Sequence, residues 1–248
     1  MSIELKRDIH KILIEDFSKA MGFDKETGIL PNSKKRFSGM PFIGNDYGKF
    51  SPKILIVGSD IGCDERRRDN TYHNFDTKRE CCIRPSKREY RAHLCGTYMT
   101  ALYLLKEVAP FNSMWQENFS NKTATLALKT LDTEQIQQIA NAIALTNLHK
   151  FVTKGRTKRS GDEDRKWIDH DKEFATFIEE VKCFAPDIII LQAINSMTNE
   201  DIEQIKQAVG GASVYKLTHP STRKRGGRIV HNLIIDPLRE QGYKEEKL

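Results

Sequence analysis

The stretch that decides the fold is KILIVGSDIG, at residues 53–62. Its first part, from Lys53 to Val57, is an almost continuous apolar run. Such a run is typical of a central parallel strand that is buried on both faces. The glycine and polar residues after it predict a turn at the carboxyl end of this strand, which is where open parallel sheets bind their ligands.

The rest of the chain alternates between predicted strands and predicted helices. Apolar runs predict three more strands, at residues 143–148, 187–191 and 213–217. Helical spacing of apolar residues predicts helices at 3–20, 90–108, 133–142, 171–184, 199–209 and about 229–241. This alternation predicts an α/β fold, a three-layer sandwich with a central, mostly parallel four-stranded sheet flanked by helices.

The length of 248 residues predicts a single domain. We expect an N-terminal helix and arm at residues 1–52 and an α/β core at 53–241. The part of the arm from 22 to 52 is rich in Gly, Pro, Asn and Ser, which predicts irregular structure. The long segment 63–89, after the first strand, is polar, charged and aromatic, and it predicts a loop of functional importance.

Composition and charge narrow the classes of function. Hydrophobic residues make up 38% and charged residues 30% of the chain, which indicates a real core under a solvated surface. No apolar run is long enough to span a bilayer, and the N-terminus does not resemble a signal peptide. We therefore expect a protein of the cytoplasm or nucleoid with no membrane partner. We also expect it to be a monomer.

The net charge of +6 is unevenly distributed. Basic residues gather at 66–68, 78–91, 150–159 and 223–228. Such clusters are compatible with nucleic-acid binding, and the alternative for each is a solvated loop.

The five cysteines predict free thiols rather than disulfides or a metal site. They are Cys63, Cys81, Cys82, Cys95 and Cys183, and no two of them form a C-x-x-C pair. An odd number without regular spacing is not a disulfide framework. We expect no metal and no cofactor.

Three short motifs, each at a predicted strand end, resemble the uracil-DNA glycosylase superfamily. The segment from Gly58 to Glu65 is similar to the first motif of that superfamily, G-Q-D-P-Y-H in one family and G-E-A-P-G-A in another. The segment 145–150, LTNLHK, resembles the I-T-N strand of the thermophile-type branch. The last motif, H-P-S, is matched by residues 219–221. The resemblance covers about residues 53–225 and keeps the order of the motifs.

Two departures from the superfamily pattern limit what the resemblance implies. The thermophile-type branch has its catalytic Glu at the position of Ser59, whereas the G-Q-D branch has its catalytic Asp where Asp60 stands. The Pro of the first motif is replaced by Ile61. The cysteines that hold an iron–sulfur cluster in the thermophile-type branch are not matched, since Phe151 comes directly after the motif Lys. We therefore expect no iron–sulfur cluster.

The resemblance implies a set of roles for the site residues. Asp60 would orient water and stabilise the cationic sugar, and His219 would donate to the base oxygen as the base departs. Asn147 would read the base edge. An aromatic side chain would stack on the base, with Tyr72, His73 and Phe75 as candidates. Backbone and side-chain groups of the first motif would complete the pocket: Gly58, Ser59, Ile61 and Gly62.

The resemblance also implies contacts with single- or double-stranded DNA. The loop after the last motif would enter the minor groove beside a flipped base. The candidate DNA contacts are Lys150, Arg156, Ser221, Arg223, Lys224, Arg225 and Arg228, with Lys154, Lys158 and Arg159 as further phosphate contacts.

Other interpretations of the same residues stay open. The alternatives are that Asp60 only caps the helix after the strand, that Asn147 satisfies loop backbone, and that His219 is a plain loop histidine. The leading hypothesis is a DNA glycosylase that excises uracil or another deaminated or modified base. One alternative is a catalytically silent member of the fold that binds nucleic acid or a modified base as a sensor in genome defence. Another is an unrelated α/β nucleotide-binding protein, although no P-loop or dinucleotide-binding motif is present.

Overall fold

A computed structural model describes residues 2–59, 92–153, 168–194, 196–219 and 229–244. The strands are β1 Lys35–Phe37, β2 Phe42–Ile43, β3 Ile54–Gly58, β4 Ile143–Asn147, β5 Phe151–Thr153, β6 Ile188–Gln192 and β7 Ser213–Leu217. The α-helices are α1 Ser2–His10, α2 Phe17–Met21, α3 Ala92–Leu104, α4 Ala124–Leu128, α5 Thr133–Asn141, α6 His170–Phe184, α7 Asn199–Val209 and α8 Asp236–Glu240.

Shorter helical segments join these elements. A π-helical segment, Lys11–Asp16, makes α1 and α2 one helical stretch, and a second, His231–Ile235, leads into α8. Two 3-10 turns, Phe111–Ser113 and Glu117–Asn121, lie between α3 and α4. In the described part of the chain, no helix has the length and apolar character needed to cross a membrane.

The central sheet has five strands in the order β2-β4-β3-β6-β7. The four strands predicted from the sequence are parallel to one another, and β2 is antiparallel to β4. The α/β class and the parallel core are therefore confirmed, whereas the prediction of four strands is wrong. The fifth strand, β2, was not predicted because its two residues, Phe42 and Ile43, are too few to show an alternation of apolar and polar residues.

The segment predicted as an irregular arm is folded onto the core. Besides β2 it contains β1, which pairs with β5 in a separate antiparallel sheet, with Phe37 opposite Phe151. Their rings join Phe17 and Phe23 in an aromatic cluster whose centroids lie 5.3 to 6.3 Å apart. Burial of these rings against one another holds the segment in place despite its Gly and Pro content.

Each face of the sheet is covered by its own layer of helices. Side chains of β3 alternate between the two faces, since successive residues of a strand point in opposite directions. Ile54 and Ile56 pack with α3, α4, α5 and α8, whereas Leu55 and Val57 pack with α1, α2, α6 and α7. The molecule is thus built of three layers, as the sequence predicts.

Candidate functional site

The carboxyl ends of four parallel strands form one edge of the sheet. Gly58 at the end of β3 is in register with Asn147 at the end of β4, and Gln192 at the end of β6 with Leu217 at the end of β7. The pairing of β3 and β4 continues beyond the strands, because the Leu148 N–H donates to the Gly58 carbonyl at 2.9 Å. This edge is where the polar residues of the three motifs meet the sheet.

The order of the strands marks a particular point on that edge. From β3 the chain continues into α3 on one face, whereas from β6 it continues into α7 on the opposite face. The connections that follow these two adjacent strands therefore lie on opposite faces of the sheet. A crevice opens at such a topological switch point and is the usual ligand site of open α/β sheets. Here it is flanked by Gly58 and Ser59 on one side and Gln192 on the other.

Asn147 owes its position to the absence of a side chain on Gly58. A Cβ on Gly58 would lie 2.7 Å from Asn147 Oδ1, which is closer than non-bonded atoms approach. The Asn147 amide is half-buried and has no hydrogen-bond partner within the described residues. It can therefore offer both a donor and an acceptor to a ligand at the edge.

Gln192 is a site residue that the sequence patterns did not single out. Its side chain is buried, and Thr97 Oγ1 of α3 donates to its Oε1 at 3.1 Å. Its Nε2 is shielded from solvent and has no partner among the described residues. A buried donor left unpaired costs about 1–3 kcal/mol, and a ligand acceptor at this edge would remove that cost. The sequence contained one sign of a site residue here, because Gln192 is the only polar residue of the run 188–192 and stands at its end.

His219 lies two residues beyond β7 and is half-buried. Asn147 and His219 come after strands that are separated by β3 and β6. Three strand spacings of about 4.8 Å put the ends of β4 and β7 about 14 Å apart. The structure therefore brings Ser59, Asn147, Gln192 and His219 to the same edge of the sheet, spread along it rather than clustered at one point.

Lys150, predicted to contact DNA, is fully buried instead. Its ammonium pairs with Glu180 of α6, and Nζ also donates to Thr146 Oγ1 at 3.1 Å. Gly39 makes room for its stem, since a Cβ there would lie 2.5 Å from Lys150 Cδ. An enclosed ammonium cannot reach a phosphate, so this prediction is wrong. The prediction assumed that Lys150 lies at the surface, as lysine usually does.

The environment of Glu180 is unusual for a carboxylate. Burial raises its pKa above the ordinary value, and the opposing effects of Lys150 and of the Thr146 hydroxyl, which donates to Oε1 at 2.7 Å, only partly offset that rise. The group is held in a closed network of two charges and one hydroxyl beneath the end of β4.

A second cluster of ionisable side chains adjoins the same edge. The backbone N–H of His149 donates to the Ser59 carbonyl at 2.8 Å, and its ring Nδ1 lies 2.9 Å from Glu173 Oε2. His170 Nδ1 lies 3.9 Å from that same oxygen. One ligand atom from each of the three residues falls within 4.8 Å of the others, a grouping that could hold a metal ion.

Many of the predicted site residues lie outside the described residues. They are Asp60, Ile61, Gly62, Tyr72, Phe75, Arg156, Ser221, Arg223, Lys224, Arg225 and Arg228. The predictions for these residues, and the convergence of Asp60 with Asn147 and His219, stay predictions. Comparison with family models, with curated proteins and with solved structures finds no match to this chain.

Proposed function

We propose that this protein is a DNA glycosylase that removes uracil or another deaminated base. The observation that carries the proposal is the set of polar side chains along one edge of a parallel sheet, at and beside its switch point. Ser59, Asn147, Gln192 and His219 stand at the ends of four adjacent strands there. Such an edge offers several donors and acceptors to a ligand that is itself elongated and rich in hydrogen-bonding groups, as a flipped nucleotide is.

The proposed chemistry divides the work among the strand ends. Asp60, two residues beyond β3, orients the attacking water and stabilises the positive charge that develops on the sugar. His219 donates a hydrogen bond to the base oxygen, where negative charge grows as the glycosidic bond breaks. The bond between base and sugar breaks, water adds to the sugar, and the base leaves with a proton.

Two amides are proposed to select the base. Asn147 is half-buried and has both a donor and an acceptor available within the described part of the chain. Gln192 Nε2 is a buried donor without a partner there, which a carbonyl oxygen of a ligand would satisfy. A hydrogen bond that only the correct base can accept discriminates strongly, because a wrong base leaves the buried donor unpaired.

The test compares two carboxylates of the same segment. Asp60→Asn should lower the release of free base from a uracil-containing oligonucleotide by about a hundredfold or more if Asp60 is the general base. DNA binding should be almost unchanged, because a transition-state interaction contributes little to ground-state affinity. Asp64→Asn removes a charge four residues further along and should retain turnover.

Two outcomes would count against the proposal. Full turnover by Asp60→Asn would show that Asp60 only caps a helix. Absence of base release by the unaltered protein across a panel of deaminated, oxidised and alkylated bases, together with salt-dependent DNA binding, would favour a catalytically silent binder.

A further inference from the structure

We propose that His149, His170 and Glu173 form a binding site for a divalent transition-metal ion of the zinc class. The three residues come from two parts of the fold. His149 lies just beyond β4, and its backbone is bonded to Ser59. His170 and Glu173 lie three residues apart in the first turn of α6, a spacing that puts both side chains on one face of the helix.

The distances among the ligand atoms suit such an ion. Zinc binds imidazole nitrogen and carboxylate oxygen at about 2.0–2.2 Å, so the ligand atoms of a tetrahedral site lie about 3.4 Å apart. Glu173 Oε2 is 2.9 Å from His149 Nδ1 and 3.9 Å from His170 Nδ1, and these two values bracket that separation. On binding, the shorter separation would lengthen and the longer one would shorten, each by about 0.5 Å, and the 55% exposed side chain of His170 leaves room for the second change.

The carboxylate is already oriented for the role. Glu173 is 2% exposed, and its Oε1 accepts the backbone N–H of Lys150. That bond leaves Oε2 facing the two imidazoles. Metal-binding carboxylates are commonly held by a second hydrogen bond of this kind.

The charge of the cluster also favours a bound cation. Within the described residues Glu173 has no Lys or Arg partner, since the ammonium of Lys150 pairs with Glu180. A divalent ion would compensate the buried carboxylate, which is otherwise costly to enclose.

The ligand set selects the class of ion. Two imidazoles and one carboxylate suit Zn²⁺, Co²⁺, Mn²⁺ and Fe²⁺, whereas Mg²⁺ and Ca²⁺ prefer sites made of oxygen. Three protein ligands leave a coordination position to solvent, as in sites with an open position. The ion would also join the end of β4 to the N-terminus of α6, and so stiffen the edge at Ser59.

The experiment uses the full chain, freed of metal, and Zn²⁺ alone as the probe. Calorimetric titration should show one ion bound per chain and a raised melting temperature, with no such effect of Mg²⁺ or Ca²⁺. His170→Ala changes an exposed side chain that should not affect folding. It should weaken Zn²⁺ binding by roughly tenfold or more, since even groups that only support a ligand alter affinity by that factor.

Two further variants make the assignment specific. Glu173→Gln keeps an oxygen to accept the Lys150 N–H and should lose Zn²⁺ affinity while staying folded. His231→Ala removes a histidine that pairs with Asp236 at 3.1 Å and should bind Zn²⁺ as the unaltered protein does. Because the chain has five cysteines, the absorption of the Co²⁺ form should show nitrogen and oxygen ligands rather than thiolate.

The result that overturns the proposal is equally definite. It fails if the unaltered chain binds no Zn²⁺, if His170→Ala and Glu173→Gln bind Zn²⁺ as tightly as the unaltered chain, or if the Co²⁺ spectrum shows thiolate ligation. None of these measurements depends on base release, so the metal site and the proposed glycosylase activity are tested separately.

Discussion

At the scale of single residues, the most costly arrangement is the enclosed pair of Lys150 and Glu180. Both side chains are completely buried, and Thr146 supplies the third member of their network. Bringing two charges out of water is unfavourable, and their mutual attraction recovers that cost only while both are present. The pair is therefore far more sensitive to the loss of one partner than an exposed ion pair is.

Glu180→Ala should consequently destabilise the protein by about 3–5 kcal/mol, because it leaves the Lys150 ammonium buried without a counter-charge. The preceding residue supplies a matched control. Glu179 lies on the same helix, is 57% exposed and pairs with Lys182 at 2.6 Å. Glu179→Ala should change the free energy of unfolding by less than about 1 kcal/mol. Urea unfolding measures both, and equal effects would show that burial of the pair has no bearing on stability.

Gly58 is the second residue with a specific consequence. An added Cβ would meet Asn147 Oδ1, the end of a flexible side chain, so the fold should tolerate Gly58→Ala. The Asn147 amide would be displaced by a few tenths of an ångström or more. Under the proposed function, base release should fall by roughly ten- to hundredfold while the melting temperature changes little.

A different glycine should show the opposite pattern. Gly210 ends α7 with φ of 64°, a left-handed conformation, and a Cβ there would meet no neighbouring atom. Gly210→Ala should reduce stability by about 1–2 kcal/mol, the cost of left-handed backbone for other residues, without altering turnover. If both variants lose turnover in proportion to stability, Gly58 has no special relation to Asn147.

At the scale of elements, α6 brings together several ionisable groups near the carboxyl edge. It carries His170, Glu173 and Glu180, and Asp169 caps its N-terminus by accepting the Lys172 N–H at 3.2 Å. That backbone hydrogen bond, with a smaller effect from the side chain of Lys172, lowers the pKa of Asp169. A lowered pKa in the folded chain means that this contribution to stability is present above the unfolded value of about 3.9 and is lost as the pH falls.

Asp169→Asn should therefore flatten the loss of stability on acidification between about pH 5 and pH 2. Asn also caps helices, but it does not titrate in this range. The control is Thr123→Ala at the N-terminus of α4, where a hydroxyl accepts the Leu126 N–H at 3.2 Å. It should lower stability by about 1 kcal/mol at every pH. Urea titrations across the pH range separate the two, and parallel curves for Asp169→Asn and the unaltered protein would contradict the assignment.

At the scale of the whole molecule, the two edges of the sheet differ in their predicted partners. The basic segment 223–228, which lies outside the described residues, follows β7 in the sequence, whereas Lys49, Lys182 and Lys206 precede β3, β6 and β7. The side chains of these three lysines are 41–67% exposed, and each pairs with an acidic residue. The proposed function places DNA at the carboxyl edge only.

Replacing Arg223, Lys224 and Arg225 with Ala should thus weaken DNA binding for all sequences alike and flatten its salt dependence, by about one unit of slope for each phosphate interaction removed. Replacing Lys49, Lys182 and Lys206 lowers the net charge of +6 by the same three units and should leave the slope almost unchanged. Binding isotherms at several salt concentrations give the slope for each of the two triple variants. Equal effects would mean that net charge alone governs association.

The four parallel strands and most of the helices were predictable from the sequence, because their apolar residues repeat with a regular period. The boundaries agree within a few residues; α7 and β7 agree at both ends. The polar residues at the ends of β3, β4 and β7 were predictable for the same reason, since the end of an apolar run marks the first residues beyond the strand. Periodicity is a local property of the chain and needs no knowledge of the segments that pack against it.

Only the tertiary structure decided the rest, because it depends on contacts between distant segments. The residues of β2 and the aromatic cluster around Phe37 acquire their order from burial against the core, which overrides a Gly- and Pro-rich composition. Lys150 is interior because Glu180, 30 residues away, reaches it. His149 contacts Glu173, which lies 24 residues further along the chain. Charge pairing and metal-ligand geometry are relations in space, and no period along the chain encodes them.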